Sequence, residues 1–146
     1  MLERLRVTAI DEDADRRPPC LAVRRLTLTD FRCYGQLRLE TDERPVVLTG
    51  ANGAGKTNIL EAISYLVPGR GLRRAKLSEV ARSDARASLV RDDAVAWAVS
   101  ASAEIAGRNI ELGTGYRPEN GQREKRIVKI DGEIVKNQNA LGQCMS

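Results

Sequence analysis

The clearest chemistry in the sequence lies in eight consecutive residues. Gly50, Ala51, Asn52, Gly53, Ala54, Gly55, Lys56 and Thr57 fit the phosphate-loop pattern G-x-x-x-x-G-K-[ST] at every fixed position. Glycines let the backbone turn tightly, so that successive N–H groups can converge on phosphate oxygens. In such a loop the Lys56 ammonium reaches the β- and γ-phosphates and the Thr57 hydroxyl is offered to Mg²⁺. A helix starting here aims its positive end at the same anion. With glycine at ordinary usage, a chance match in a chain of this length is expected on the order of 0.5% of the time. The pattern marks a candidate site for a nucleoside triphosphate.

Such a loop works only between a strand and a helix, and the flanks supply both patterns. Arg44 and Pro45 lead into Val46, Val47 and Leu48, a short apolar run of the kind shown by a strand buried on both faces. After the loop, Ile59, Leu60, Ile63, Leu66 and Val67 fall on one helical stripe, which Pro68 and Gly69 end. Upstream, Leu26 and Leu28 alternate with Thr27 and Thr29, and Leu37 and Leu39 with Arg38 and Glu40, with Gly35 between the runs. This predicts an antiparallel strand pair ahead of the phosphate-loop strand. Many small P-loop kinases place the loop after their first strand, whereas ATPases of the ABC type begin as this chain does.

The totals set bounds. The chain has 146 residues, enough for one domain with a core, and 42% hydrophobic with 30% charged residues is ordinary for a soluble protein. A net charge of +4 suits a polyanionic partner without requiring one. No apolar run reaches membrane-span length and no secretory signal pattern opens the chain, so a cytoplasmic location with no membrane partner is expected. Cys20, Cys33 and Cys144 are odd in number and far apart, which argues against a disulfide framework or a zinc site. Histidine is absent, so no step within these residues can use an imidazole.

Leu26-Thr27-Leu28-Thr29-Asp30-Phe31-Arg32-Cys33-Tyr34, followed by Leu48 through Ile63, resembles the start of the RecF family, bacterial recombination and repair ATPases related to SMC and Rad50 heads. The wider group shares the Phe-Arg pair and the Asn-Gly inside the loop. The continuation Pro68-Gly69-Arg70-Gly71-Leu72-Arg73-Arg74-Ala75-Lys76 is similar to a G-R-x-x-R segment of RecF itself. The likeness runs from about Leu21 to the last residue and is strongest over 26 to 80. It implies an α/β P-loop NTPase fold of ABC type, an antiparallel β part beside an incomplete core sheet. Residues 1–20, which mix charges with Pro18 and Pro19, are expected to be a mobile extension, and 21–146 the amino-terminal part of the ATPase domain.

The same resemblance implies ATP and Mg²⁺ as cofactors and sequence-nonspecific single- and double-stranded DNA as partner. It also implies action with RecO and RecR in replication, recombinational repair and the SOS response, and an ATP-dependent homodimer in the full-length family. By likeness Arg32 lies by the nucleotide phosphates; on spacing alone it is equally a surface arginine at a strand end. Phe31 is expected in the core. Arg70, Arg73, Arg74 and Lys76, with Arg82 and Arg86 beyond, concentrate positive charge after the first helix. Such a run is most often a solvated face, but the resemblance favours a DNA-facing role, where a guanidinium donates two hydrogen bonds to one phosphate. Aromatics are only 3%, so stacking platforms for bases are scarce and binding should be salt-sensitive and sequence-blind.

Further on, Val95, Trp97, Val99, Ala101, Ala103 and Ile105 alternate and turn through Gly107-Arg108-Asn109 into Ile110 and Leu112, a second hairpin with Trp97 in core phase. Gly113 to Gly121 reads as loop. Arg126–Ile130 and Glu133–Lys136 flank Asp131-Gly132, a strong hairpin signal, and their basic residues suit either DNA contact or protection of a strand edge.

Turnover by an ABC-type ATPase needs an acidic residue after a second apolar strand and a signature segment from a second subunit. No run here qualifies; Arg91-Asp92-Asp93 follows only Leu89 and Val90. In the RecF family these elements lie beyond the position matching Ser146. The sequence is therefore expected to be an amino-terminal part of such a protein, poorly soluble, binding nucleotide weakly without hydrolysing it. Other SMC-like or transporter-type heads, a P-loop small-molecule kinase and a DNA-binding module with a vestigial loop are the alternatives.

Overall fold

The computed structural model describes residues 5–9, 21–82, 95–119, 121–137 and 139–144. Among the described residues, eight strands and three helices follow one another: Arg6–Ala9 (β1), Leu21–Phe31 (β2), Tyr34–Glu40 (β3), Val46–Thr49 (β4), Lys56–Ser64 (α1), Leu77–Val80 (α2), Trp97–Ile105 (β5), Arg108–Tyr116 (β6), Arg126–Ile130 (β7), Glu133–Ile134 (β8) and Asn139–Cys144 (α3). Six strands form one antiparallel sheet in the order β3-β2-β5-β6-β7-β8, and β1 and β4 form a separate antiparallel pair.

All three hairpins anticipated from alternation and from the Asp131-Gly132 turn are present. Leu26 faces Leu39 and Leu28 faces Leu37 across β2 and β3. The reversal is tighter than expected. It falls on Arg32 and Cys33, with Arg32 at φ 52, while Gly35 lies inside β3. The β5–β6 turn is Ala106-Gly107 (φ 49 and 77) and the β7–β8 turn is Asp131-Gly132 (φ 49 and 85). Positive φ at both central residues matches the right-handed strand twist. The loop expected from Gly113 is corrected: β6 runs on to Tyr116, paired opposite Trp97. Gly115 is there because β5 approaches closely; a Cβ on it would stand 2.6 Å from the Trp97 carbonyl oxygen.

One face of the large sheet, carrying Leu26, Leu28, Trp97, Val99, Ala101, Ala103, Leu112 and Val128, belongs to a single buried cluster with Ile59, Ala62, Tyr65 and Leu66 of the α1 region. Phe31 and Trp97 are both core residues, with ring centroids 5.4 Å apart at 81°, and the Trp97 Nε1–H donates to the Leu77 carbonyl at 2.7 Å. Helix α1 is shorter than its apolar stripe. It ends at Ser64, where Tyr65 and Leu66 tighten the last turn through bonds to the Ala62 and Ile63 carbonyls. Of the stripe, Ile59 and Leu66 are buried and Ile63 half-buried, whereas Leu60 and Val67 face outward.

Two expectations near the amino terminus change. Within the stretch read as an extension, Arg6–Ala9 pairs with β4 in register Val7 to Leu48 and Thr8 to Val47. Apart from Leu5, the rest of it lies outside the described residues, as do Arg86 and Arg91-Asp92-Asp93. Strand β4 is not buried on both faces: Val46 is 38% and Val47 39% exposed. The reason is its setting, for among the described residues only β1 pairs with it, and of its apolar run Leu48 is the residue packed against the core.

Candidate nucleotide-binding site

Strand β4 hands the chain to residues 50–55, and these hand it directly to α1. Three loop glycines take backbone shapes that disfavour a side chain: Gly50 at φ 153, Gly53 at 86 and Gly55 at 95. Gly55 is doubly required, since a Cβ there would lie 2.3 Å from the Tyr34 hydroxyl oxygen and 3.0 Å from Cys33 Sγ. The β2–β3 turn therefore forms the back wall of the loop. Inside it the Ala54 N–H donates to the Ala51 carbonyl at 3.1 Å, and Ala54 is the one buried residue of the eight.

Gly55 is also the N-cap of α1, and it offers no side-chain oxygen to the first-turn amides; no acidic residue sits in that turn. Their N–H groups and the positive end of the helix are left for an external anion. The Lys56 ammonium donates to the carbonyls of Gly50 (2.6 Å) and Ala51 (2.7 Å). Both acceptors are neutral carbonyls, weaker partners for an ammonium than a charged oxygen. Thr57 is exposed, with its hydroxyl one residue into the helix. Behind them Tyr34 is buried, and desolvation, with the Cys33 thiol adding, pushes its phenol up to about 12. It backs the loop as a neutral group.

Arg32 is the predicted cofactor residue whose guanidinium is committed elsewhere. Its Nε and Nη2 donate to the two carboxylate oxygens of Glu61 at 2.9 and 2.7 Å, and Nη1 donates to the Glu79 carbonyl at 3.2 Å. Those bonds to Glu61 raise the Arg32 pKa against the opposing effect of burial. Glu61 is fully buried on α1, and Arg73 joins it at 3.2 Å while also donating to Asn58 Oδ1 at 3.0 Å. One carboxylate thus ties the β2–β3 turn, the first helix and the basic segment together. Nothing local in the sequence announces this, because Glu61 lies 29 residues from Arg32. Of the basic residues singled out, Arg73 is held in this cluster, and Arg70, Arg74 and Lys76 are exposed. Asn58 also donates to Cys33 Sγ at 3.1 Å, a second brace behind the loop.

A strand, a glycine loop and a helix whose amino end carries a lysine and a threonine define the P-loop class of nucleotide-binding proteins. Residues 22–146 match the family model for the RecF/RecN/SMC N terminal domain, and the chain belongs to that family. Among curated relatives, the "DNA replication and repair protein RecF" of Allorhizobium ampelinum is 46% identical over 119 residues, covering 82% of this chain and 29% of the relative. The protein of the same name from Caulobacter vibrioides is 48% identical over 110 residues, 75% and 27% of the two chains. The chain thus spans less than a third of the length of these relatives. The fold matches two solved structures, of the recombination mediator protein RecF with ATP and with ATPrS in the RecFOR pathway. Each superposes with a TM-score of 0.62, at 22% and 21% identity, over 84% and 83% of this chain and 30% and 29% of theirs. The resemblance seen in residues 26–80 is borne out, and so is the amino-terminal portion of an ABC-type P-loop ATPase head as the fold.

Proposed function

We propose that this chain is the nucleotide-gripping amino-terminal part of a RecF-type DNA replication and repair protein. Residues Gly50 to Thr57 hold the triphosphate of ATP through loop amides, the Lys56 ammonium and the uncapped start of α1. Mg²⁺, when bound with the nucleotide, neutralises phosphate charge, and the Thr57 hydroxyl is the side chain placed to hold it. Arg32 acts from behind, bracing α1 through Glu61, with three of its five N–H donors spent on Glu61 and the Glu79 carbonyl.

The DNA-facing surface is the exposed basic segment Arg70, Arg74 and Lys76, contacting the phosphate backbone of single- or double-stranded DNA without reading bases. Within the whole protein, we assign to this head ATP-dependent pairing with a second copy, partnership with RecO and RecR, and a cytoplasmic location. Among the described residues no helix is long and apolar enough to cross a membrane. Turnover belongs to elements that these residues do not supply.

The observation that carries this reading is the amino end of α1, open to an anion and preceded by three glycines in left-handed or extended-reversed shapes. The test is equilibrium binding of a fluorescent ATP analogue with Mg²⁺ to the chain and to Lys56→Ala. Saturable binding lost in the variant, with no steady-state hydrolysis by either, is the expected result. Equal binding by both, or hydrolysis abolished by Lys56→Ala, would overturn it.

A further inference from the structure

Beyond the end of α1, the segment leading to α2 and the start of β7 wall a second cleft, of about 570 Å³. Two of its lining side chains are buried and incompletely satisfied. Arg126 is 7% exposed; its Nη1 and Nη2 donate to the carbonyls of Gly69 (2.6 Å) and Val67 (3.1 Å), but its Nε has no hydrogen-bond partner. Tyr65 is fully buried beneath it, the guanidinium carbon 5.8 Å from the ring centroid, and the Tyr65 hydroxyl also lacks a partner.

The charge around them is lopsided. Arg70, Arg74 and Lys76 line the same cleft and are exposed. Among the described residues its one lining carboxylate, Glu124, is spent on α2, accepting from the Leu77 N–H at 2.9 Å and from the Ser78 hydroxyl. Arg126 therefore pairs with no carboxylate among the described residues, and burial pulls its pKa below the usual arginine value. A buried cation is costly until an anion joins it, and here the two residues with idle donors line the same cleft as three exposed cations.

We propose that this cleft binds a phosphate group, apart from the loop at 50–57, with Arg126 and the Tyr65 hydroxyl as its floor and Arg70, Arg74 and Lys76 as its rim. Phosphate is favoured over a carboxylate because a dianion suits several cations at once and accepts a guanidinium fork and a hydroxyl together. The phosphate comes from DNA or from solution. The DNA source rests on the reading of residues 70–76 given above, whereas the cleft itself does not.

The single tryptophan is a built-in reporter, its ring centroid 5.1 Å from that of Tyr65. In a Lys56→Ala background, which silences the loop, Trp97 emission is followed while inorganic phosphate, or a short DNA duplex with or without a 5′-phosphate, is added. Saturable binding is expected, weakened about tenfold by Tyr65→Phe, which removes only one hydrogen bond to a charged group, and about threefold by Arg74→Gln on the rim. Arg126→Gln should abolish it, but a buried arginine can be needed for folding, so the two milder variants decide. Phosphate and DNA both weakened by them, and competing with each other, identify DNA as the source. Phosphate alone responding leaves the cleft in place and removes the DNA reading. If neither probe's affinity changes in Tyr65→Phe and Arg74→Gln, the cleft is not a phosphate site.

Discussion

Gly55 shows how closely single atoms are accounted for around the loop. It needs φ 95, and the Tyr34 hydroxyl fills the space where a Cβ would go. Gly55→Ala is expected to lower stability by about 2 kcal/mol in urea unfolding, combining left-handed strain with the clash. An effect under about 0.5 kcal/mol would show that Tyr34 does not support the loop. The motif residues were legible because their chemistry depends on type and spacing alone. Their supports were not: Tyr34, Cys33 and Asn58 meet the loop only once the β2–β3 turn folds over it. Tyrosine ionisation offers a second test at this scale. Burial raises the pKa of all three tyrosines, Tyr34 to about 12. A raised phenol stabilises the fold fully below its unfolded value near 10. That contribution is lost as pH climbs through the folded value, so stability should fall between about pH 10 and 12. Ultraviolet titration should show phenolate appearing together with loss of the folded circular-dichroism signal; phenolate formed at pH 10 in a still-folded chain would contradict the burial.

At the scale of elements, strands that alternate in sequence were legible and their ends were not. Trp97 to Ile105 could be read from period two alone, since every second residue is buried. The Gly113–Tyr116 stretch could not, because Gly113 and Gly115 look like loop residues until the partner strand explains them; Gly115 exists for the Trp97 carbonyl. The apolar run of β4 misled in the opposite direction, reading as a fully covered strand when its cover is not among the described residues. Helix α1 is fastened by a polar contact that periodicity cannot reveal. The fully buried Glu61 receives two bonds from Arg32, whose side chain is 19% exposed, and one from the more open Arg73 at 43%. Removing the charge leaves Arg32 half-buried and unpaired, so Glu61→Gln should cost about 3 kcal/mol, most of it from the Arg32 side. A loss below about 1 kcal/mol in chemical denaturation would mean that α1 is held by its apolar face alone. By contrast, Gly132→Ala meets open space and carries only left-handed strain, expected at about 1 kcal/mol.

At the scale of the whole molecule, the described residues form a six-stranded sheet with a well-filled face and a phosphate-loop strand with one paired neighbour. Val46, Val47, Leu60 and Leu21 line one apolar groove between them and are all more than a third exposed. A soluble monomer seldom leaves such a groove bare. The chain should therefore enhance the fluorescence of an apolar dye such as ANS while its circular dichroism still reports a cooperative fold. Absence of dye binding at concentrations where the chain is monomeric would show that the groove is closed in solution.

The central claim is that main-chain amides at the start of α1 grip a triphosphate. Backbone amide chemical shifts of the ¹⁵N-labelled chain, recorded as ATP and Mg²⁺ are added, test it most directly. The largest changes should fall on Gly53, Gly55, Lys56 and Thr57, saturating together and vanishing in Lys56→Ala. Shifts confined to other residues, or none at saturating nucleotide, would contradict it.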